Sequence, residues 1–370
     1  MSLVSSFVIA SLLAVGPAAG GPPAGPSAPR GPAPPPLRVT VDSSDHEVVI
    51  TSGPWKLKNM PPMDDAAMMA MHMGEDVPVQ RFEWPVEGWF RGFKWEIVDG
   101  KGHTLPRRVM HHLIMVNFDR RQLVYDAVER LMGAGSETDD ATVPKTIGVP
   151  MTPGTQLGMY VLWHNETGQD LDDVYLKLSL VWTPKNQNPR PVNSLPIYMD
   201  VNLTIGGTNT FDVPPGKSTK AYEFTLPVSG RLLGVGGHLH DYGVMVKLMD
   251  AESGKELTQV VAKRDSAGKV LGISRKLFGV TGRGLKLEAG HHYRVVAEYD
   301  NPTGKTIPSG AMASMVGLFA PDDMSKLPPV DPTDPTMQKD LASLQVPVSG
   351  GMHDHHGGQH GTHGTSNDEQ

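Results

Sequence analysis

The chain has 370 residues, 39% of them hydrophobic and 20% charged, which is enough for one large or two medium globular domains. A formal net charge of −7, with no cluster of Lys or Arg, argues against nucleic acid as a partner. Cysteine is absent, so disulfides are excluded and any metal must be held by His, Met, carboxylate or backbone ligands.

Residues 3–16, LVSSFVIASLLAVG, form an apolar run followed by the small-residue stretch PAAGG. That is the pattern of a signal peptide over residues 1–20, and the run is too short and too serine-rich for a membrane span. Export to a periplasm or the extracellular space is therefore expected, with no membrane span. Residues 21–37 are a stiff Pro/Gly-rich linker, and the N-terminal segment 38–81 contains MPPMDDAAMMAMHM (60–73), with six methionines. With 33 Pro and 41 Gly there is little room for long helices. Short runs such as VVI, YVLW, VYLKLSLVW and YRVVAEY, separated by turn residues, read as strands. The expected fold is all-β, two tandem antiparallel β-sandwich domains of jelly-roll type over residues 82–190 and 191–320. Residues 321–370 are a linker, with one short helix near 335–344, and a Gly/His-rich tail carrying His353, His355, His356, His360 and His363.

The two expected domains share a weak repeat. GTQLGMYVLWHNETG (154–168) aligns without gaps on GHHYRVVAEYDNPTG (290–304), matching Gly154 to Gly290, Asn165 to Asn301, Thr167 to Thr303 and Gly168 to Gly304. A histidine motif precedes each copy: VMHHLIMVNF (109–118) and GGHLHDYGVMVKL (236–248). The common order of histidine pair, strands and Asn-x-Thr-Gly turn indicates duplication of one β-domain.

The histidines carry the chemistry. His238 and His240, at i and i+2 of a strand, share a face about 6.5–7 Å apart along the chain, close enough to converge on one ion. Adjacent His111 and His112 face opposite sides of a regular strand, so both reach one metal only if the strand is bent or bulged there. An unpartnered imidazole inside VMHHLIMV would cost on the order of 1–3 kcal/mol, so at least one of the pair needs a defined partner. His164 ends the strand that opens the first Asn-x-Thr-Gly turn, and its counterpart in the second copy is Asp300. Met312, in SGAMASMVGLF, follows the second turn. A thioether suits copper, especially Cu(I), over zinc, calcium or magnesium, although a methionine in an apolar strand is more often plain core.

Over residues 85–320 these motifs resemble the copper type II, ascorbate-dependent monooxygenases, the family that includes peptidylglycine α-hydroxylating monooxygenase and dopamine β-monooxygenase. The resemblance rests on the His111-His112 pair ahead of an apolar strand, on the His-x-His-x-x-Gly of His238, His240 and Gly243, and on Met312 late in the second domain. It implies two copper ions. His111, His112 and His164 would bind an electron-transfer copper, and His238, His240 and Met312 an oxygen-activating one. It also implies dioxygen, an electron donor such as ascorbate, and hydroxylation of a C–H bond of a small substrate. The chain departs from the family in lacking cysteine, in having Leu113 where the motif has methionine, and in placing His164 about two positions late in its strand. Gly236 also stands where peptide-hydroxylating members carry an arginine, so a peptide C-terminus is not the expected substrate.

Three other readings fit parts of the chain. An exported copper-binding or copper-handling protein without turnover would use the Met-rich stretch and the tail histidines for capture. A cupin-like mononuclear enzyme would also carry His-x-His, but needs a Glu shortly after it, where this chain runs Asp241, Tyr242, Gly243, Val244, Met245. A purely structural sandwich would place its histidines in core or on surface. Nucleophilic and zincin chemistry lack their motifs, since neither Gly-x-Ser-x-Gly nor His-Glu-x-x-His occurs.

Overall fold

The structure, a computed structural model, describes residues 34–61, 79–136, 138–205, 209–278 and 284–345. The apolar run 3–16 expected to be a signal peptide, most of the linker and of the Met-rich stretch, and the His-rich tail lie outside these residues. The described chain is all-β, built as two β-sandwiches in tandem.

In the first sandwich the strands Leu37–Asp42, Glu47–Leu57, Leu171–Pro184, Gly88–Val98, Ile147–Met151 and Val192–Asn193 follow one another across one sheet. Its partner sheet has the order Gln80–Glu83, Gln156–Trp163, Met110–Arg121, Val128–Gly135. The strands from Leu37 to Leu57, N-terminal to the domain start expected at residue 82, thus belong to this sandwich. Their alternation explains the placement, because Val48 and Ile50 are fully buried between half-buried neighbours.

The second sandwich sets the sheet Leu195–Asp200, Ala313–Pro321, Gly230–Leu239, Lys276–Leu277 against the sheet Gly216–Phe224, Tyr293–Asn301, Gly243–Asp250, Glu256–Arg264, Val270–Ile273. Buried side chains of both sandwiches belong to one continuous apolar cluster, so the domains meet through packed core.

The helix Pro335–Gln345 returns from the second sandwich to the first. Its Met337 and Leu344 pack with Val116 and Val128, and its Asp340 forms a two-pronged ion pair with Arg130 (2.7 and 2.6 Å) while accepting the Val128 N–H at 2.9 Å. This contact accounts for the unbroken apolar run after His111-His112. Leu113 and Met115 face the sandwich core, while Ile114 and Val116 face the helix side, so both faces of that strand are covered.

The two copies of the repeat adopt the same turn. Asn165 Oδ1 accepts from the Thr167 N–H and hydroxyl at 3.1 and 2.6 Å, and Asn301 Oδ1 from those of Thr303 at 3.0 and 2.7 Å. Each amide Nδ2 donates to the carbonyl four residues on, Gln169 or Lys305, at 2.8 Å. Gly154, Gly168, Gly290 and Gly304 all have φ between +72° and +89°, the left-handed region that glycine occupies without a Cβ penalty. Three of the four sequence identities build this turn, and the fourth, Gly154 or Gly290, lies in the turn that precedes the strand.

Candidate metal centre

The His-x-His motif lies at the end of Gly230–Leu239, with His240 one residue past it. This strand pairs antiparallel with Ala313–Pro321, with His238 opposite Ser314 and Leu239 opposite Ala313. The His240 N–H donates to the Met312 carbonyl at 3.2 Å, which extends the same register by one residue. Met312 therefore stands opposite His240, on the face shared by both histidines. The following turn is closed by the Gly243 N–H on the His240 carbonyl at 3.1 Å, and a Cβ on Gly243 would lie 2.9 Å from that oxygen. The Val270 N–H donates to Asp241 Oδ1 at 2.9 Å and the Tyr242 N–H to the Gly268 carbonyl at 2.8 Å, which fixes the turn to the second sandwich.

The His111-His112 pair does sit on a bulge. Met110 opposes Trp163 and His112 opposes Leu162, so one extra residue, His111, is inserted against the neighbouring strand. The two rings stack with centroids 4.1 Å apart and planes 24° from parallel, an arrangement that regular alternation would forbid.

These two motifs come from different sandwiches and meet. His112 and His238 are 5.4 Å apart centroid to centroid, His112 and His240 6.3 Å, and His238 and His240 5.1 Å. One ring nitrogen from each of His112, His238 and His240 lies within 4.8 Å of the other two, a spacing that suits three ligands of one ion. The structure thus brings His112, expected in the first set, next to the two histidines of the second. The bulge is the physical reason, since it frees the His112 ring from strict strand geometry.

His164 occupies a different position. It is 2% exposed, its N–H donates to the Val109 carbonyl at 2.9 Å, and its Nε2 lies 2.6 Å from Glu166 Oε1. It thus stands at the root of the His111-His112 strand, and any metal it held would be bound through Nδ1. Glu166, two residues after His164, is a partner that the spacing alone could have suggested.

Asp200 went unnoticed in the sequence. It is fully buried at the end of Leu195–Asp200, in the run IYMDV, where a lone acid among apolar residues is the signal. Its backbone is held across the domain boundary by Tyr125 of the first sandwich, whose hydroxyl accepts from the Asp200 N–H (2.8 Å) and donates to the Asp200 carbonyl (3.1 Å). Burial pushes the Asp200 carboxyl up to about 6, opposed by donors from Tyr198, the Asn202 N–H and Asn209 and by the His238 imidazole. Burial also raises the Tyr198 phenol well above its ordinary value, and the Asp200 charge adds to that.

No family model matches the chain, and no curated protein matches it. Among solved structures it has a distant likeness to a chain of the cowpea mosaic virus top component, naturally occurring empty particles, at 9% identity and a TM-score of 0.30 over 67% of this chain and 90% of that one. A second likeness, to a chain of the T13 IBDV viral particle, has 10% identity and a TM-score of 0.13 over 85% of this chain and 87% of that one. Likenesses this distant carry no argument about function.

Proposed function

We propose that the protein is an exported copper-dependent monooxygenase that hydroxylates a C–H bond of a small substrate, drawing electrons from a donor such as ascorbate. The observation that carries this reading is the convergence of His112, His238 and His240, with one nitrogen of each within 4.8 Å of the others. The donor set favours copper. It offers imidazoles without a carboxylate, and the strand register places the Met312 thioether on the same face as His238 and His240.

In this reading His112, His238, His240 and Met312 hold the oxygen-activating copper. His111, in the bulge, and His164, beside it, are then left as the ligands of an electron-transfer copper. Copper bound there would provide one-electron redox chemistry and the activation of dioxygen. The protein's own residues fix the geometry: the bulge orients His111 and His112, the Gly243 turn holds His240, and Tyr125 ties the two sandwiches together next to the site. A non-catalytic copper-handling protein is the second reading, favoured by the methionines of residues 60–73 and the tail histidines.

Metal content by elemental mass spectrometry, followed by ascorbate-driven oxygen uptake with candidate substrates, separates these readings. Copper bound at the histidines with substrate-dependent oxygen uptake supports the monooxygenase. Copper without uptake under any donor leaves the handling protein, and no copper rejects both.

A further inference from the structure

The sheet that carries His238 also carries a buried acid on the same face. Asp200 opposes Ser314, and Ser314 opposes His238, so the three form one row across three hydrogen-bonded strands. Residues directly opposite in neighbouring strands share a face, and strands lie about 4.8 Å apart, which puts the Asp200 Cα on the order of 10 Å from that of His238. The residue between them is a small, buried serine, 4% exposed, so little side-chain bulk separates the carboxylate from the imidazole.

The carboxylate is also well fixed. Tyr198 donates to its Oδ2, the Asn202 N–H reaches Oδ1 at 2.7 Å, and Asn209 reaches Oδ2 at 3.3 Å. Tyr125 clamps the backbone on both sides of the Asp200 peptide. Such a network holds a charge in a region of low dielectric, where its field on a neighbour is strongest. Both carboxylate oxygens accept from these donors, so the pocket is built for an ionised group at a position where burial alone would favour a neutral one.

We infer that Asp200 is a positioning residue for the metal centre: a fixed, buried negative charge behind His238 that favours the more highly charged oxidation state of a metal held there. This rests on the copper reading above. Asp200 touches no substrate and takes no part in bond making. It acts through His238, as partners outside the ligand shell do when they set a metal's affinity and potential.

The test uses the full chain and compares its affinity for Cu(II) and Cu(I), by competition with chelators at pH 8.5, with those of Asp200→Asn and Tyr198→Phe. Asp200→Asn is expected to weaken Cu(II) binding about tenfold or more and Cu(I) binding distinctly less, raising the reduction potential. Tyr198→Phe keeps the carboxylate and removes a donor that shares its charge, so it should shift the Cu(II)/Cu(I) affinity ratio the opposite way. Equal loss of both affinities in Asp200→Asn, or none, together with an unmoved ratio in Tyr198→Phe, overturns the inference while leaving the copper reading intact. A wild-type protein from which His238→Ala removes no copper fails the copper reading itself, and the inference with it.

Discussion

His112 of the first sandwich and His238 of the second meet edge to face across the domain boundary, their ring centroids 5.4 Å apart. A metal bound by both ties together two units that otherwise touch through packed core, the Tyr125–Asp200 backbone bonds and the C-terminal helix. Metal binding and domain packing are then linked, because an ion that binds only the assembled site stabilises the assembly.

Copper should therefore raise the unfolding temperature of the whole protein. At free metal a thousandfold above its Kd, the gain is about 4 kcal/mol. His112→Ala should lose most of that gain while changing the metal-free stability little. Thermal unfolding with and without copper, monitored by near-ultraviolet circular dichroism, measures both.

The Arg130–Asp340 pair predicts a large cost for removing one partner. Asp340 is 1% exposed and serves both guanidinium nitrogens and the Val128 N–H. Asp340→Ala strands a largely buried cation and an amide, and should destabilise by about 3–5 kcal/mol in urea unfolding. Lys339, exposed on the same helix, should tolerate alanine within about 0.5 kcal/mol.

The duplicated turns predict a matched pair of effects. Asn165 and Asn301 are each 1% exposed and bond backbone carbonyls on two sides: Leu57 and Gln169 for the first, Val213, Pro214 and Lys305 for the second. Alanine at either position leaves buried carbonyls unsatisfied and should cost about 2 kcal/mol. The turns lie in different sandwiches, so the double variant should cost close to the sum in the same unfolding assay.

Asp200 predicts a pH dependence. Its folded value of about 6 exceeds the 3.8 of the ordinary carboxyl, so between those values the folded state binds more protons than the unfolded state. Its contribution to stability thus falls as pH rises from about 4 to about 6. Asp200→Asn lacks this titration. Relative to wild type, the metal-free variant should gain about 3 kcal/mol between pH 4 and pH 7. A constant difference across that range would show that Asp200 stays ionised throughout.

Much of the fold was legible in the residues themselves. Alternation in runs such as YRVVAEY marks strands, and the Asn-x-Thr-Gly identities mark a duplicated turn whose hydrogen bonds prove to be the same in both copies. Strand parity tied a shared metal at His111-His112 to a bulge, and a bulge is present there, although what either imidazole binds lies beyond strand parity. The start of the first sandwich at Leu37 was missed because its opening strands precede the Met-rich stretch that reads as a boundary. The partnership of His112 with His238 and His240 was also out of reach. It depends on how two sandwiches pack, and residues 126 positions apart (from 112 to 238) carry no local signal of their distance. Asp200 had a local signal, a lone acid in IYMDV, but its relation to His238 runs laterally through Ser314 of a third strand and is not legible in the sequence.

The central claim is that His112 and His238 are ligands of the same ion, and a double-mutant cycle on copper affinity tests it most directly. The background is the full chain with His353, His355, His356, His360 and His363 replaced by alanine, so that the tail adds no copper of its own. Each of His112→Ala and His238→Ala should weaken copper binding by tenfold or more, and the double variant should bind no worse than the weaker single one. Losses that add in full would mean that His112 and His238 hold different ions, and would return the histidines to two independent sites.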